Sequence, residues 1–391
     1  MNLGERQRAL DVTLAALRPL WHARPFSEMR PAWCLEWPAL TAELLSLDDI
    51  EQSRLADDGE AAANFVARHI EDVAVLPGLA QVAASHSRPL PDFGPFWAWE
   101  IPGRKRGQIE AFAASTVCSG RPVIDWCGGK GHLGRLLARH WQVGVTTFEI
   151  DCALCADGVQ LAHRAGVEQR FIEADVLQPG LALPAGGHAV ALHACGDLHR
   201  TLVGQAADRG LTALDVAPCC YYRGVSGDYQ PLSGSLKAHL TADDARLAVT
   251  ESVTAAPRRL RQRDREMAWK LAFDAWRREV DGVDEYRSFK PVPAAWMRGG
   301  FPEFMARITQ RERLAMPTAR QLDALERRGW QRQREVMRLS IVRQAFRRPL
   351  EIWLALDLAV RLENDGYAVS LGRFCERRLT PRNLLISARL N

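Results

Sequence analysis

Residues 125–134 run Asp125, Trp126, Cys127, Gly128, Gly129, Lys130, Gly131, His132, Leu133 and Gly134. Glycines let a backbone turn tightly and approach a ligand closely, and a helix that follows offers free N–H groups. Gly129, Gly131 and Gly134 satisfy G-x-G-x-x-G, so a dinucleotide site competes for the same residues. Alone the match is weak, because glycine turns after strands are common connectors. Three carboxylates sharpen it. Asp125 stands before the glycines, where a dinucleotide fold usually keeps an apolar strand, and can bond the cationic end of a methionine moiety. Glu149 lies 18 residues beyond Gly131 and can accept ribose hydroxyls, while Asp175 can accept from an adenine amino group. Acids at three successive strand ends point to one adenosine-bearing ligand at the sheet's carboxyl edge.

Two further segments fall at strand ends. One is Leu192, His193, Ala194, Cys195, Gly196, Asp197 and Leu198; the other runs from Asp215 through Cys219, Cys220, Tyr221 and Tyr222. His193, Asp197, Tyr221 and Tyr222 are the polar groups available to a second substrate there. His193, Cys195, Cys219 and Cys220 are also potential zinc ligands. Adjacent cysteines chelate one ion poorly and no paired C-x-x-C knuckles occur, so packing and substrate-edge contacts are expected and no metal site is. Cys152 and Cys155 form a lone C-x-x-C at a helix start, expected as a buried small-residue face rather than a redox pair.

The elements that must position these residues alternate. Strands are expected at 122–126, 143–150, 169–174, 188–193 and 213–217, and helices at 133–140, 152–165 and 200–209. That alternation describes a parallel sheet covered on both faces. Before it, about 95 residues read as short helices, including 5–17 and 39–47, with Thr41 and Asp48-Asp49 as cap candidates. After it, 237–346 is helical, polar and Arg-rich. A helix at 350–364 then leads to strands at 367–374 and 384–390.

At 391 residues the chain is long enough for two or three domains. No stretch approaches the roughly 18 to 20 uninterrupted apolar residues of a membrane span. The N-terminus lacks the layout of a secretory signal, and nine cysteines without a framework read as reduced thiols in a cytoplasmic protein. The net charge of +4 hides an asymmetry. Residues 1–100 carry 8 Lys/Arg against 15 Asp/Glu, and residues 258–348 carry 23 against 12. The basic region is expected to face an anion, with nucleic acid the first candidate and a solvated Arg-rich helical face the alternative.

The glycine segment, the Leu192–Leu198 segment and Cys219-Cys220-Tyr221 resemble a methyltransferase family. It contains the methyltransferase-like 25 proteins and ribosomal RNA adenine dimethylase domain-containing proteins. Residues 102–110, with Lys105, resemble that family's basic segment before strand one, although Gln108 stands where relatives carry His. Residues 350–366 and 379–384 resemble its closing helix and strand. The resemblance covers roughly 102–388. It implies an α/β fold with a class I Rossmann-like methyltransferase sheet, mostly parallel with a terminal antiparallel hairpin. An N-terminal helical region (1–95) would precede the methyltransferase domain (96–391), which carries a helical insertion at 237–346. It implies S-adenosyl-L-methionine as donor, held by Lys105, Asp125, Cys127, Gly129, Gly131, His132, Leu133, Glu149, Asp175 and His193. The acceptor is expected to be RNA, ribosomal or transfer. A protein or small-molecule acceptor fits the same core, and a non-catalytic binding module or a nicotinamide dehydrogenase keeps only the glycine loop.

Overall fold

The computed structural model describes residues 1–94, 97–250 and 257–390. The expected domain boundary at 95/96 falls on residues outside that set. Seven strands form one sheet: β1 Val123–Trp126, β2 Val145–Glu149, β3 Gln169–Glu173, β4 His188–Cys195, β5 Ala213–Cys219, β6 Tyr367–Arg373 and β7 Leu384–Leu390. Their order is β3-β2-β1-β4-β5-β7-β6, with β1 to β5 parallel and β7 antiparallel to both neighbours. Every residue of β1 and β5 is buried, as expected of strands covered on both faces.

Local sequence sets the crossovers. Asp151 accepts the Ala153 and Leu154 N–H groups at 2.9 and 3.2 Å and caps the helix Cys152–Ala165, which Gly166 ends in the left-handed region. The helix His132–Trp141 buries Leu133, Leu136 and Leu137 with Phe112, Val123 and Val145 in one apolar cluster. The helix expected at 200–209 is instead Asp197–Gly204. Gly196, at φ 58° and ψ −121°, turns the chain directly into it, in a backbone region essentially restricted to glycine. In the N-terminal region, Asp48 caps the helix Asp49–Asp57, but Thr41 lies within Pro38–Ser46 and bonds the Cys34 and Trp37 carbonyls. Residues 83 and 85 bond Arg373 at the open side of β6, which covers that sheet edge.

The chain divides into two compact units, one of residues 1–16, 75–251 and 347–391, the other of 17–74 and 252–346. In the first, two buried acids moor the segment that follows β5. Asp357 accepts from the Tyr229 hydroxyl, the Leu232 and Ser233 N–H groups and the Ser233 hydroxyl, at 2.8 to 3.0 Å. Asp11 accepts from Lys237 N–H, Ala238 N–H and Trp353 Nε1. At the amino end of the sheet, Asp215 is buried between His188 Nε2 at 2.8 Å and the Arg389 guanidinium at 2.7 Å.

The second unit is helical, with Trp269, Phe273, Phe301, Phe304 and Leu325 in its core. Gly329 lets one helix approach another there: a Cβ would stand 2.4 Å from the Ala268 carbonyl oxygen. The helix expected to begin at 350 is the end of a 46-residue helix, Ala319–Asn364, which continues through Pro349. A proline inside a helix normally breaks it because a hydrogen bond is lost. Here both flanks are buried, with Phe346, Leu350 and Trp353 inaccessible, and packing outweighs the local signal. Among the described residues no helix is long and apolar enough to cross a membrane.

Candidate active site

Three of the six non-glycine residues with positive φ among those described lie at the carboxyl edge of the sheet: Cys127 (56°), His193 (70°) and Cys220 (47°). They follow β1, lie in β4 and follow β5. Such backbone costs of order 1–3 kcal/mol per residue and persists where the surroundings over-determine it, which is characteristic of functional sites.

The glycine loop explains itself sterically. A Cβ at Gly128 would lie 2.3 Å from Asp125 Oδ2, one at Gly131 2.3 Å from Gln169 Nε2, and one at Gly134 2.8 Å from Asp125 Oδ2. Gly129 is different: φ is +60° and the space where its Cβ would stand is open. The loop therefore packs tightly beneath itself and presents its bare backbone outward at Gly129.

Asp125 lies under this loop and is only 2% exposed. Its Oδ2 accepts the Gly134 N–H at 3.2 Å and the Thr147 hydroxyl at 3.3 Å. Burial pushes its pKa up to about 6, although those bonds and the Lys105 charge pull it down. As placed, the carboxylate shapes the loop. Glu149 ends β2 and accepts Gly129 N–H at 2.9 Å through Oε2, and Ile150 and Asp151 N–H at 2.9 and 3.1 Å through Oε1. Three of a carboxylate's roughly four acceptor positions are thus taken. One hydroxyl can be accepted as it stands, and a second would displace an N–H. Asp175 follows β3, where Ala174 N–H bonds the Glu149 carbonyl at 2.9 Å, and accepts Leu177 N–H at 3.0 Å. The sheet therefore brings the loop, Glu149 and Asp175 to one edge.

Other expected ligands sit differently. Leu133 is core, packed with Phe112 and Leu136, so only its backbone is available to a ligand. His132 is buried, its Nδ1 2.9 Å from the Arg135 guanidinium, and burial with Arg135 and Lys105 lowers its pKa to about 4. Burial, then Glu149 and Asp125, push the Cys127 thiol up to about 12, which leaves it an uncharged neighbour of the loop. Lys105 is exposed on the helix Gly103–Ser115, and its charge is felt at Asp125, His132 and His193.

On the acceptor side, His193 Nε2 is 2.8 Å from Gln108 Oε1. Gln108 Nε2 donates to the Leu379 carbonyl at 3.3 Å, which orients the amide with its oxygen toward the imidazole. Nε2 then carries the ring proton and Nδ1 is the acceptor nitrogen. Burial, helped by Lys105, lowers the His193 pKa, so the ring is neutral near pH 7. Asp197 opens its helix and pairs with Arg200 at 3.7 Å. Tyr222 is half-buried with Arg246 over its ring at 4.5 Å.

Tyr221 does not join them. It is fully buried, edge-on to His199 at 5.5 Å, and its hydroxyl has no hydrogen-bond partner among the described residues. It belongs to the core, where burial also lifts its pKa well above the ordinary phenol value. Gln108 is the reverse case. The sequence marks it only as a departure from relatives, and it holds the imidazole.

The expectation against metal rested on adjacent cysteines chelating poorly. Adjacent residues of a strand point to opposite faces, but left-handed φ at Cys220 breaks that alternation just past β5. The sulfurs of Cys195, Cys219 and Cys220 lie within 4.8 Å of one another. Hydrogen bonds with Cys195 and Cys219, aided by Arg382 and Arg223, hold the Cys220 thiol well below its usual range. Of the C-x-x-C pair, Cys155 is buried but Cys152 is exposed, so the motif is not a wholly buried face.

Residues 107–224 match a family model described as a methyltransferase domain. That span holds Gln108, the glycine loop, the three acids and both later strand ends, so the chain carries a methyltransferase domain. No curated protein matches the sequence. Among solved structures, a magnesium protoporphyrin IX methyltransferase from Synechocystis PCC 6803 with bound SAH is 11% identical (TM-score 0.31, covering 76% of this chain and 89% of that one). An O-methyltransferase family protein from Burkholderia thailandensis is 11% identical (TM-score 0.27, 92% and 69%). An rRNA methylase from Streptococcus thermophilus is 15% identical (TM-score 0.24, 30% and 71%). Scores this low carry no functional weight.

Proposed function

We propose that this chain is an S-adenosylmethionine-dependent methyltransferase acting on RNA. The observation that carries the donor is the sheet order β3-β2-β1-β4-β5-β7-β6 with β7 antiparallel. A nicotinamide-binding sheet of the doubly wound kind runs 3-2-1-4-5-6 and would have a parallel strand next to β5. The residues also fit the donor. Open space over Gly129 admits a ligand against bare backbone. Glu149 and Asp175 stand at adjoining strand ends for ribose and adenine, and Lys105 brings a positive charge to a carboxylate.

When bound, S-adenosylmethionine supplies an electrophilic methyl on a good sulfonium leaving group. The protein's work is then mainly positioning. Asp125 holds the loop from below, Glu149 ties it to β2, and Gln108 fixes His193 with Nδ1 as the basic nitrogen. For a hydroxyl acceptor, Nδ1 takes the proton that the acceptor loses; for an amine, the ring orients the lone pair.

RNA is favoured by Arg258, Arg259, Arg261 and Arg263, all exposed in the first turns of the helix Pro257–Asp281. Positive charge in the first turn of a helix opposes its dipole, so Arg258 and Arg259 are stabilised by an anion set against them, whereas Arg263 already lies 3.6 Å from Asp264. A protein or small-molecule acceptor is the second reading, and a specific observation favours it. Many arginines of this region serve internal bonds: Arg277 and Arg278 to Asp274, Arg332 to the Pro25 carbonyl, Arg338 to the Leu47 carbonyl and Arg343 to the Trp21 carbonyl.

Methylation of total RNA and total protein from a strain lacking the gene, with labelled donor, decides between them. Label in RNA is expected. Label confined to protein overturns the acceptor, and label in neither with no donor binding overturns the whole reading.

A further inference from the structure

We propose that Cys195, Cys219 and Cys220 form a three-thiolate site for a soft divalent cation, zinc in the first instance. The site is independent of the donor and acceptor assignments.

The geometry suits zinc. With Zn–S bonds of about 2.3 Å, sulfurs around a tetrahedral ion lie ~3.8 Å apart. The three sulfurs here fall within 4.8 Å of one another, with Cys195 and Cys219 at 3.3 Å. An ion entering among them needs only small rotamer adjustments.

The backbone gathers them by several constraints at once. Cys195 and Cys219 are register partners on β4 and β5, brought opposite by the irregularity between Leu192 and Cys195. Gly196 N–H bonds the Cys219 carbonyl at 3.0 Å, and a Cβ at Gly196 would stand 2.2 Å from the Arg223 carbonyl oxygen. Strained φ at Cys220 turns the third sulfur toward the other two. Packing alone requires no such strain.

Charge is balanced as well. Three thiolates and a divalent ion sum to one negative charge, and Arg223 and Arg382 both act on this cluster. Soft thiolates select zinc or monovalent copper over magnesium and calcium. Cys219 is buried while Cys195 and Cys220 are partly exposed, which leaves a route in. Three protein ligands also leave a fourth position open, as in zinc sites that bind water or substrate rather than closed structural ones. The Cys195 thiol donates to the His193 carbonyl at 3.3 Å, which sets the cluster beside that residue's backbone.

The test is metal binding by the full-length protein, reduced, stripped with chelator and titrated with Zn2+ against a chromophoric competitor. Co2+ serves as the spectroscopic probe. One equivalent is expected, with a sulfur-to-cobalt charge-transfer band. Cys219→Ser and Cys220→Ser should each weaken binding at least a hundredfold, and Cys152→Ser and Cys375→Ser should not change it. If the first two variants fail to fold, wild-type protein still answers. Zn2+ should slow alkylation of Cys195, Cys219 and Cys220 more than tenfold, read by peptide mass spectrometry, and leave Cys118 and Cys375 unaffected. No uptake of Zn2+, uptake retained in both variants, or protection at other cysteines overturns the proposal.

Discussion

His193 Nε2 and Gln108 Oε1 are 2.8 Å apart across 85 residues of sequence. Because Gln108 is itself anchored on the Leu379 carbonyl, one bond fixes both the position and the tautomer of the ring. Gln108→Leu should therefore lower kcat tenfold to a hundredfold and leave donor affinity within twofold. Gln108→Glu, which keeps an acceptor oxygen in place, should restore part of the loss. Steady-state kinetics with calorimetry separate the two quantities, and equal losses in kcat and donor affinity would place Gln108 in the donor pocket instead.

S-adenosylmethionine or its demethylated product should bind the purified protein in calorimetry, and NAD should not. Glu149→Ala should weaken that binding more than tenfold, since losing charged hydrogen bonds costs roughly 1.5 to 3 kcal/mol. Unchanged affinity in a folded variant would move the pocket away from β2.

Burial pushes the Asp125 carboxyl up to about 6, above its ordinary value of 3.8. Between these values the folded protein keeps a proton that the unfolded chain has released. Its contribution is thus fully present below pH 3.8 and is lost as pH rises through 6. At about 1.36 kcal/mol per unit the loss is of order 2–3 kcal/mol. Asp125→Asn, which keeps an acceptor for Gly134 and Thr147, should remove that pH dependence. Denaturant melts from pH 4 to 7 should show the variant gaining on wild type as pH rises. A constant difference would mean that Asp125 stays ionised in the fold.

RNA binding should fall steeply with salt, because each neutralised phosphate releases condensed counterions. Reversing Arg258, Arg259, Arg261 and Arg263 to Glu together should weaken it and leave donor affinity alone. Filter binding at two salt concentrations measures both effects, and insensitivity to the reversals would make the cluster a solvated surface.

Tyr221→Phe should be nearly neutral or stabilising, by up to ~1 kcal/mol, because its buried hydroxyl has no partner to lose among the described residues. Thermal melts should show an unchanged or raised Tm, with activity retained. A large loss of turnover at unchanged stability would return Tyr221 to the catalytic set.

The sequence by itself determined the strands of the sheet and the acids that stand at their ends. Strand and helix periods encode burial directly, so β1 to β5 were legible, as was the order of acids along them. The glycines at 129, 131 and 134 are visible as a motif, although the side chains that crowd Gly131 and Gly134, Gln169 among them, come from a distant strand. The tertiary structure decided what depends on distant or non-periodic geometry. Register between β4 and β5 brought Cys195 to Cys219, and one strained φ added Cys220, against the alternation that strand residues normally obey. Tyr221 and Tyr222 look equivalent side by side, yet one faces the core and the other Arg246. Pro349 reads locally as a break, and buried packing on both sides carried the helix through it. Arginine counts gave the charge of 258–348, but only folding showed which arginines are spent on carbonyls and carboxylates within it. Each outcome was set by contacts between residues that local sequence patterns do not link.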